Sequence, residues 1–265
     1  MTVICGNAGA VTGEHTVGMW DVTYNGNPFE YYASNTDGAS GQLAGNNDWS
    51  GSYKILGGEP VNLPGDDIEF TGSVDGTNGC SGDAIIDSIT VTAPIASGGP
   101  VTTVVSFSSD GALTVGAAAA TDVTEPAPLP AKNAKLWITD ADVAGVQNIT
   151  MTLTSANKDY VSSGETNRIA GNLTGTLSYD ILEGAYATLP APNTDLLMKF
   201  YVTSALFWDL KWMMVENLSN LKCDIETNEL IGATVNCKFN GFSGGVHGWI
   251  ASPSDEAVWG AVSET

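Results

Sequence analysis

One pattern is written twice along this chain. Ala44-Gly45-Asn46, Ser52-Tyr53, Ile55-Leu56, Gly58 and Leu63-Pro64 return as Ala170-Gly171-Asn172, Ser178-Tyr179, Ile181-Leu182, Gly184 and Leu189-Pro190, at a constant offset of 126. Residues 44–64 laid on 170–190 without a gap share ten identities in 21, where ordinary composition gives roughly one or two. A repeat unit this long is a domain and not a solenoid turn, so the expectation is one fold copied and then diverged.

The match extends outward with small changes of offset. Val17-Gly18-Met19-Trp20-Asp21-Val22-Thr23 aligns with Ala144-Gly145-Val146-Gln147-Asn148-Ile149-Thr150 at 127. Downstream, Ile89, Val91, Val105 and Phe107 align with Leu221, Cys223, Cys237 and Phe239 at 132. Alternate apolar positions stay in phase, which a half-buried strand must preserve.

Length suits two domains, residues 1–120 and 133–265, the second with a C-terminal arm. Between them Thr121 to Lys132 is rich in proline and reads as a stiff, extended linker. Short alternating runs such as Asp87 to Thr92 and Val101 to Phe107, punctuated by Gly, Asn, Asp and Pro, predict an all-β chain of sandwiches or barrels. The apolar stretch Ala205 to Met214 suits a helix or a buried strand equally well.

Net charge is −21. Residues 1–131 hold fifteen acids against the single Lys54, and residues 132–265 hold fifteen against eight basic residues. Nucleic acid is gripped through clusters of Lys and Arg, which are missing here, so direct binding is not expected. Met1 to Cys5 shows no basic segment leading into an apolar run, and nothing approaches the ~20 apolar residues of a membrane helix, so a cytosolic origin is expected. Cys5, Cys80, Cys223 and Cys237 lack zinc or redox spacing. Cys223 and Cys237, aligned with Val91 and Val105, read as small core residues, with a disulfide between them geometrically thinkable.

Catalysis has little to work with. His15 and His247 stand alone in opposite copies, and the pairs Asp66-Asp67 and Asp140/Asp142 fit turns better than calcium loops. No enzyme activity, cofactor or metal is expected. Trp20, Trp49 and Trp137 lie in or beside predicted strands, where core or interface packing is the natural role.

The segment Gly45-Asn46-Asn47-Asp48-Trp49-Ser50-Gly51-Ser52-Tyr53-Lys54, preceded by Gly18 to Tyr24 and followed by Leu63-Pro64-Gly65-Asp66, resembles the major tail tube proteins of long-tailed bacteriophages. In that family an early strand, a long loop and an Asp-Trp-Ser/Thr-Gly-Ser strand follow one another. Lys135 to Tyr179 resembles the same pattern more faintly, with Thr174-Gly175 in place of Asp-Trp. The resemblance implies β-sandwich protomers joined edge to edge into rings, and rings stacked into a virion tube assembled in the host cytoplasm. Its implied partners are the chain itself, a tape measure protein and tail terminator or distal tail proteins, with double-stranded DNA passing through unbound. Six domains per ring would need three chains, or six if the second copy only decorates the outside. A capsid decoration or carbohydrate-binding module is the alternative, with Trp249 and Trp259 as its platform.

Two sets of residues carry this expectation. Trp49, Tyr53 and Tyr179 should anchor the strand after the long loop. The loop Asn25 to Leu43 and its counterpart Ala156 to Ile169 should make subunit or ring contacts through Phe29, Tyr31, Tyr32 and Val161, docking on the adjacent ring.

Overall fold

The computed structural model describes residues 17–32, 40–56, 62–74, 77–117, 128–182, 189–203, 206–224, 229–240 and 249–251. Within the first half lie β1 (Val17–Asn25), β2 (Phe29–Tyr31), β3 (Gly41–Leu43), β4 (Asp48–Leu56), β5 (Asp67–Ser73), β6 (Asn78–Ala93), β7 (Thr102–Ser109) and β8 (Thr114–Ala117). The second half holds β9 (Lys135–Ile138), β10 (Ala141–Asp142), β11 (Val146–Ser155), β12 (Lys158–Ser162), β13 (Glu165–Ile169), β14 (Leu173–Leu182), β15 (Asp195–Tyr201), β16 (Leu206–Asp224), β17 (Glu229–Phe239) and β18 (Trp249–Ala251). Among the described residues there is no α-helix, only the 3-10 turn Ala131–Asn133. The stretch left open in the sequence, Ala205 to Met214, is strand from Leu206 onward: its buried Trp208, Leu210 and Met213 are held between two antiparallel neighbours.

The protein is all-β, and fourteen strands hydrogen-bond into one large antiparallel sheet. Its path runs β1-β4-β7-β6 and then continues β11-β14-β17-β16, so the strand order of the first half recurs in the second. Irregularities recur with it. A bulge interrupts β1 between Val17 and Met19, and β11 between Val146 and Asn148. Another interrupts β6 between Ile86 and Ser88, and β16 between Val215 and Asn217.

These registers revise two of the sequence offsets. Tyr53 faces Trp20 as Tyr179 faces Ile149, which makes the first-strand offset 129, two more than the sequence alignment gave. Tyr53 also faces Val105 as Tyr179 faces Val235, so the downstream offset is 130 and Cys237 corresponds to Phe107. Val215 lies across from Cys237. Cys223 is eight residues further along that strand, roughly 25 Å at the rise of an extended chain, well beyond disulfide reach. Cys237 is a free, buried thiol, as is Cys80. The Cys223 side chain, Cys5, His15, His247, Trp259, the linker up to residue 127 and nearly all of the C-terminal arm lie outside the described residues.

Alternation builds the core. Every second residue of β4, β7 and the second half of β6 is buried on one face: Trp49, Tyr53 and Ile55; Val105 and Phe107; Ile89 and Val91. The first half of β6 pairs with β5 and β8, and this brings Phe70 of β5 against Phe107 and Trp49, with centroids 4.6 and 6.3 Å away. Burying aromatic surface in such offset and edge contacts is the main stabilising term.

Candidate functional site

The sequence-predicted anchors are core residues. Trp49 is 1% exposed, and its indole N–H donates to the Gly111 carbonyl at 2.9 Å. Tyr53 and Tyr179 are equally buried. Burial, with Cys237 nearby, pushes the Tyr179 phenol above its ordinary range, and its hydroxyl has no hydrogen-bond partner among the described residues. Burial and, second, the neighbouring Glu216 carboxylate push the Cys237 thiol up to about 12. Trp20 packs edge-on against Phe70, and Trp137 lies tilted against Tyr201.

The acid pairs act locally. The Asp66 carboxylate accepts from the Leu63 N–H at 2.7 Å, closing a turn. Asp142 and Asp140 pair with Lys135 and Lys199 at 3.0 and 3.9 Å. Among the described residues, no three His, Cys, Asp or Glu side chains converge as a metal would require.

Both long loops are two-stranded hairpins. β2–β3 and β12–β13 rise from matching roots, where a Cβ on Gly45 would collide with the Asn27 carbonyl and one on Gly171 with the Ala156 carbonyl. Only glycine permits such close backbone approach. Tyr160 occupies the position of Tyr31, and Val161 that of Tyr32. Tyr32, Phe29 and Leu43 are 72%, 63% and 57% exposed, and Val161 is exposed too.

The β12–β13 hairpin lies on the first half of its own chain. Asn47 donates its N–H to Gly164 at 3.0 Å and accepts from the Thr166 N–H at 3.2 Å. Arg168 then reaches into a polar seat. Its guanidinium donates to the Ser109 carbonyl (2.7 Å), the Ser109 hydroxyl (2.9 Å) and Asp48 (3.3 Å), and pairs with Asp159 at 3.0 Å. Its backbone N–H donates to Asp110 at 2.8 Å, and its side chain is only 9% exposed. The sequence reading missed this cluster, although one signal was available: Arg168 is the only arginine in the chain.

Beside that clasp, β11 adds to the second half of β6, from Ile149↔Ala93 to Thr154↔Ser88. Thr90 and Thr152 share a hydroxyl contact at 3.2 Å, and Asn157 donates to Asp87 at 2.8 Å. The corresponding outer edges of β1 and of β16 beyond Asn217 have no strand paired to them among the described residues. Their burial differs accordingly. Ile149, Met151 and Leu153 are buried, whereas the matching Trp20 and Val22 are half-buried and Tyr24 is exposed. Leu221 on β16 is exposed as well.

The face of the large sheet away from the core is a carpet of hydroxyls and amides. Alternation presents Ser50, Ser52, Ser106, Thr90, Thr150, Thr152, Thr176, Ser178, Thr234 and Asn236 there. Bonds run across it from Ser52 to Asp21, Thr234 to Asp180, Ser178 to Asn236 and Asn236 to Asn217. Among the described side chains it carries Asp21, Asp87, Asp180 and Glu216 with Lys54 and Lys238.

No protein-family model matches the chain, and a comparison with curated proteins finds no match either.

Proposed function

We propose that this chain is the structural subunit of a bacteriophage tail tube: two tandem copies of a tube domain per chain, three chains closing head to tail into a pseudo-hexameric ring, and rings stacked around a conduit for DNA. One observation carries the reading. The seam between β6 and β11 inside the chain has its two halves repeated at the chain's opposite edges, where no strand pairs with them among the described residues. Moving that seam by the internal offset sets β1 of one chain against β16 of the next, with Tyr24 opposite Leu218 and Thr23 opposite Ser219. Open edges with apolar residues are a liability unless paired, and a head-to-tail contact of this kind closes into a ring when its rotation permits. Both copies lie in one continuous sheet, which favours three chains over six with a decorating second copy.

The polar face then serves as the inner wall. Its hydroxyls and amides satisfy one another, and the excess of carboxylates over lysines among its described side chains leaves it mildly repulsive to phosphates over a Debye length of ~8 Å. Among the described acids of the first copy, Asp66, Asp67, Glu69, Asp83 and Asp110 lie off this face, on β5, in turns and on the first half of β6.

Negative-stain microscopy of purified chain tests the assembly, and a Tyr24→Cys/Leu218→Cys pair tests the seam, because directly opposed residues lie within disulfide reach. Stacked rings and covalent trimers are expected. A small oligomer that assembles only on capsids would establish the decoration reading instead. Assembled tubes should show no measurable affinity for short duplex DNA at low ionic strength; tight, salt-sensitive binding would sink the conduit.

A further inference from the structure

The seat of Arg168 has a counterpart in the second half of the chain, and its chemistry has changed. Asn47, Asp48, Ser109 and Asp110 correspond through the strand registers to Leu173, Thr174, Phe239 and Asn240. The hairpin has changed in step. Arg168 corresponds to Gln42, Lys158 to Phe29 and Ile169 to Leu43. An ionic hairpin therefore matches the acidic seat on which it rests, and an aromatic hairpin matches a seat of two half-buried apolar side chains, Leu173 and Phe239. Within one chain the first pair is in contact and the second is not: Phe29, Tyr32 and Leu43 stand exposed.

We infer that the β2–β3 hairpin clasps a second copy of this chain, lying across Leu173 and Phe239 of the neighbour in the same ring. This rests on the ring reading, since the seam repeated between chains is what brings the hairpin to that seat. The contact is an apolar version of the Arg168 clasp, with Gln42 beside Asn240 where Arg168 meets Asp110. It assigns the aromatic load of the first loop to a lateral neighbour, whereas the sequence reading assigned it to the ring above. Two coupled changes argue for it. Loss of both seat carboxylates, at Thr174 and Asn240, accompanies loss of both hairpin cations, at Gln42 and Phe29. A hairpin with no fixed partner carries no pressure for such matching, whereas an interface selects for both sides together.

Gln42→Cys with Asn240→Cys should give a disulfide between chains, compared against the parent chain for background from its native cysteines. In rings closed laterally the covalent product stops at three chains; contacts between stacked rings would instead give a ladder beyond three, and that ladder overturns the proposal. The Tyr24→Cys/Leu218→Cys pair is run in parallel. If that seam links and the 42–240 pair does not, the clasp is wrong and the ring stands; if neither links, the ring itself fails. A second readout does not depend on cysteine geometry. Phe29→Asp/Leu43→Asp should raise the concentration needed for assembly by about tenfold or more while the melting of the unassembled chain stays unchanged. An unchanged assembly threshold would overturn the clasp.

Discussion

The two halves of this molecule solve the same packing problem with their large and small residues exchanged. In the first, Trp49 on β4 sits beside Ser109 on β7, whose hydroxyl accepts from the Trp49 N–H at 3.5 Å. In the second, Gly175 takes the tryptophan's place and Phe239 the serine's, and a Cβ on Gly175 would run into the Phe239 ring. Interiors hold their density when volume moves between neighbours and not when it is lost, so the exchange keeps the core while freeing the strand ends to differ. Those ends are the two seats. With serine at 109 the seat is polar and holds an arginine; with phenylalanine at 239 it is apolar.

The largest effect expected from breaking this comparison is at Trp49. Trp49→Gly should cost at least the about 3–5 kcal/mol typical of emptying a large aromatic site, and lower the melting temperature by roughly 10 °C. Adding Ser109→Phe should recover a good part of that loss if the exchange is real. A double variant no more stable than the single one in calorimetry would show that the two sites are not equivalent.

Next in size is the clasp within the chain. Arg168→Met removes a largely buried guanidinium and leaves the half-buried Asp48 and the Ser109 hydroxyl without their cation, and should destabilise the chain by about 2–3 kcal/mol in denaturant titration. Gln42→Met, at the matching exposed position, should stay within about 0.5 kcal/mol. Equal effects at both would erase the distinction between a filled and an empty seat.

The last effect appears only at alkaline pH and comes in part from a buried thiol of the second half. The Cys237 thiol is held up to about 12 by burial and by Glu216, while the unfolded thiol keeps the ordinary 9.0. Between those values the unfolded chain sheds a proton that the folded chain retains. Stability is therefore unaffected below pH 9 and falls as pH rises toward 12, by about 1 kcal/mol per unit. The first half carries Phe107 at this position, but its own buried thiol, Cys80, is pushed up by burial as well, and so is the Tyr179 phenol of the second half. Cys237→Val should make the alkaline limb of a pH–stability curve less steep; a slope that persists undiminished would place its origin elsewhere.

Much of the fold was legible because β4 and β14 kept both their residues and their spacing. Ser52-Tyr53 and Ser178-Tyr179 occupy equivalent places at the offset of 126 that the sequence shows. The flanking offsets were not legible, for a physical reason. A strand repeats every two residues, so sliding β1 along β11 by two leaves its apolar face intact, and Gly18 found a false partner in Gly145. Further downstream the alignment is off by three on β16 and by two on β17, and the one extra residue taken up between Ser219 and Lys222, where Asn220 adopts a positive φ of 54°, accounts for the difference between them. The site was less visible still. Trp49 and Tyr53 announce a core by type, but the partner of Asp48 lies 120 positions away in Arg168, and no local period links them. The outer edges of β1 and β16 leave no mark in composition at all; only the filled seam between β6 and β11 reveals them.

That filled seam also separates two kinds of encounter. Because β6 and β11 belong to one polypeptide, whose intervening chain is itself pinned by a bridge between Pro100 and Pro130, they meet at the high effective concentration of a tether, and their seam forms however dilute the protein is. A joint between separate chains has no such help and must recruit its partner from solution. An ionic, salt-sensitive clasp suffices at the tethered joint, where dissociation is immediately reversed. In the proposed ring the greasier Phe29 hairpin serves the untethered joint, and the uneven chemistry of the two hairpins then follows from the uneven statistics of finding a neighbour.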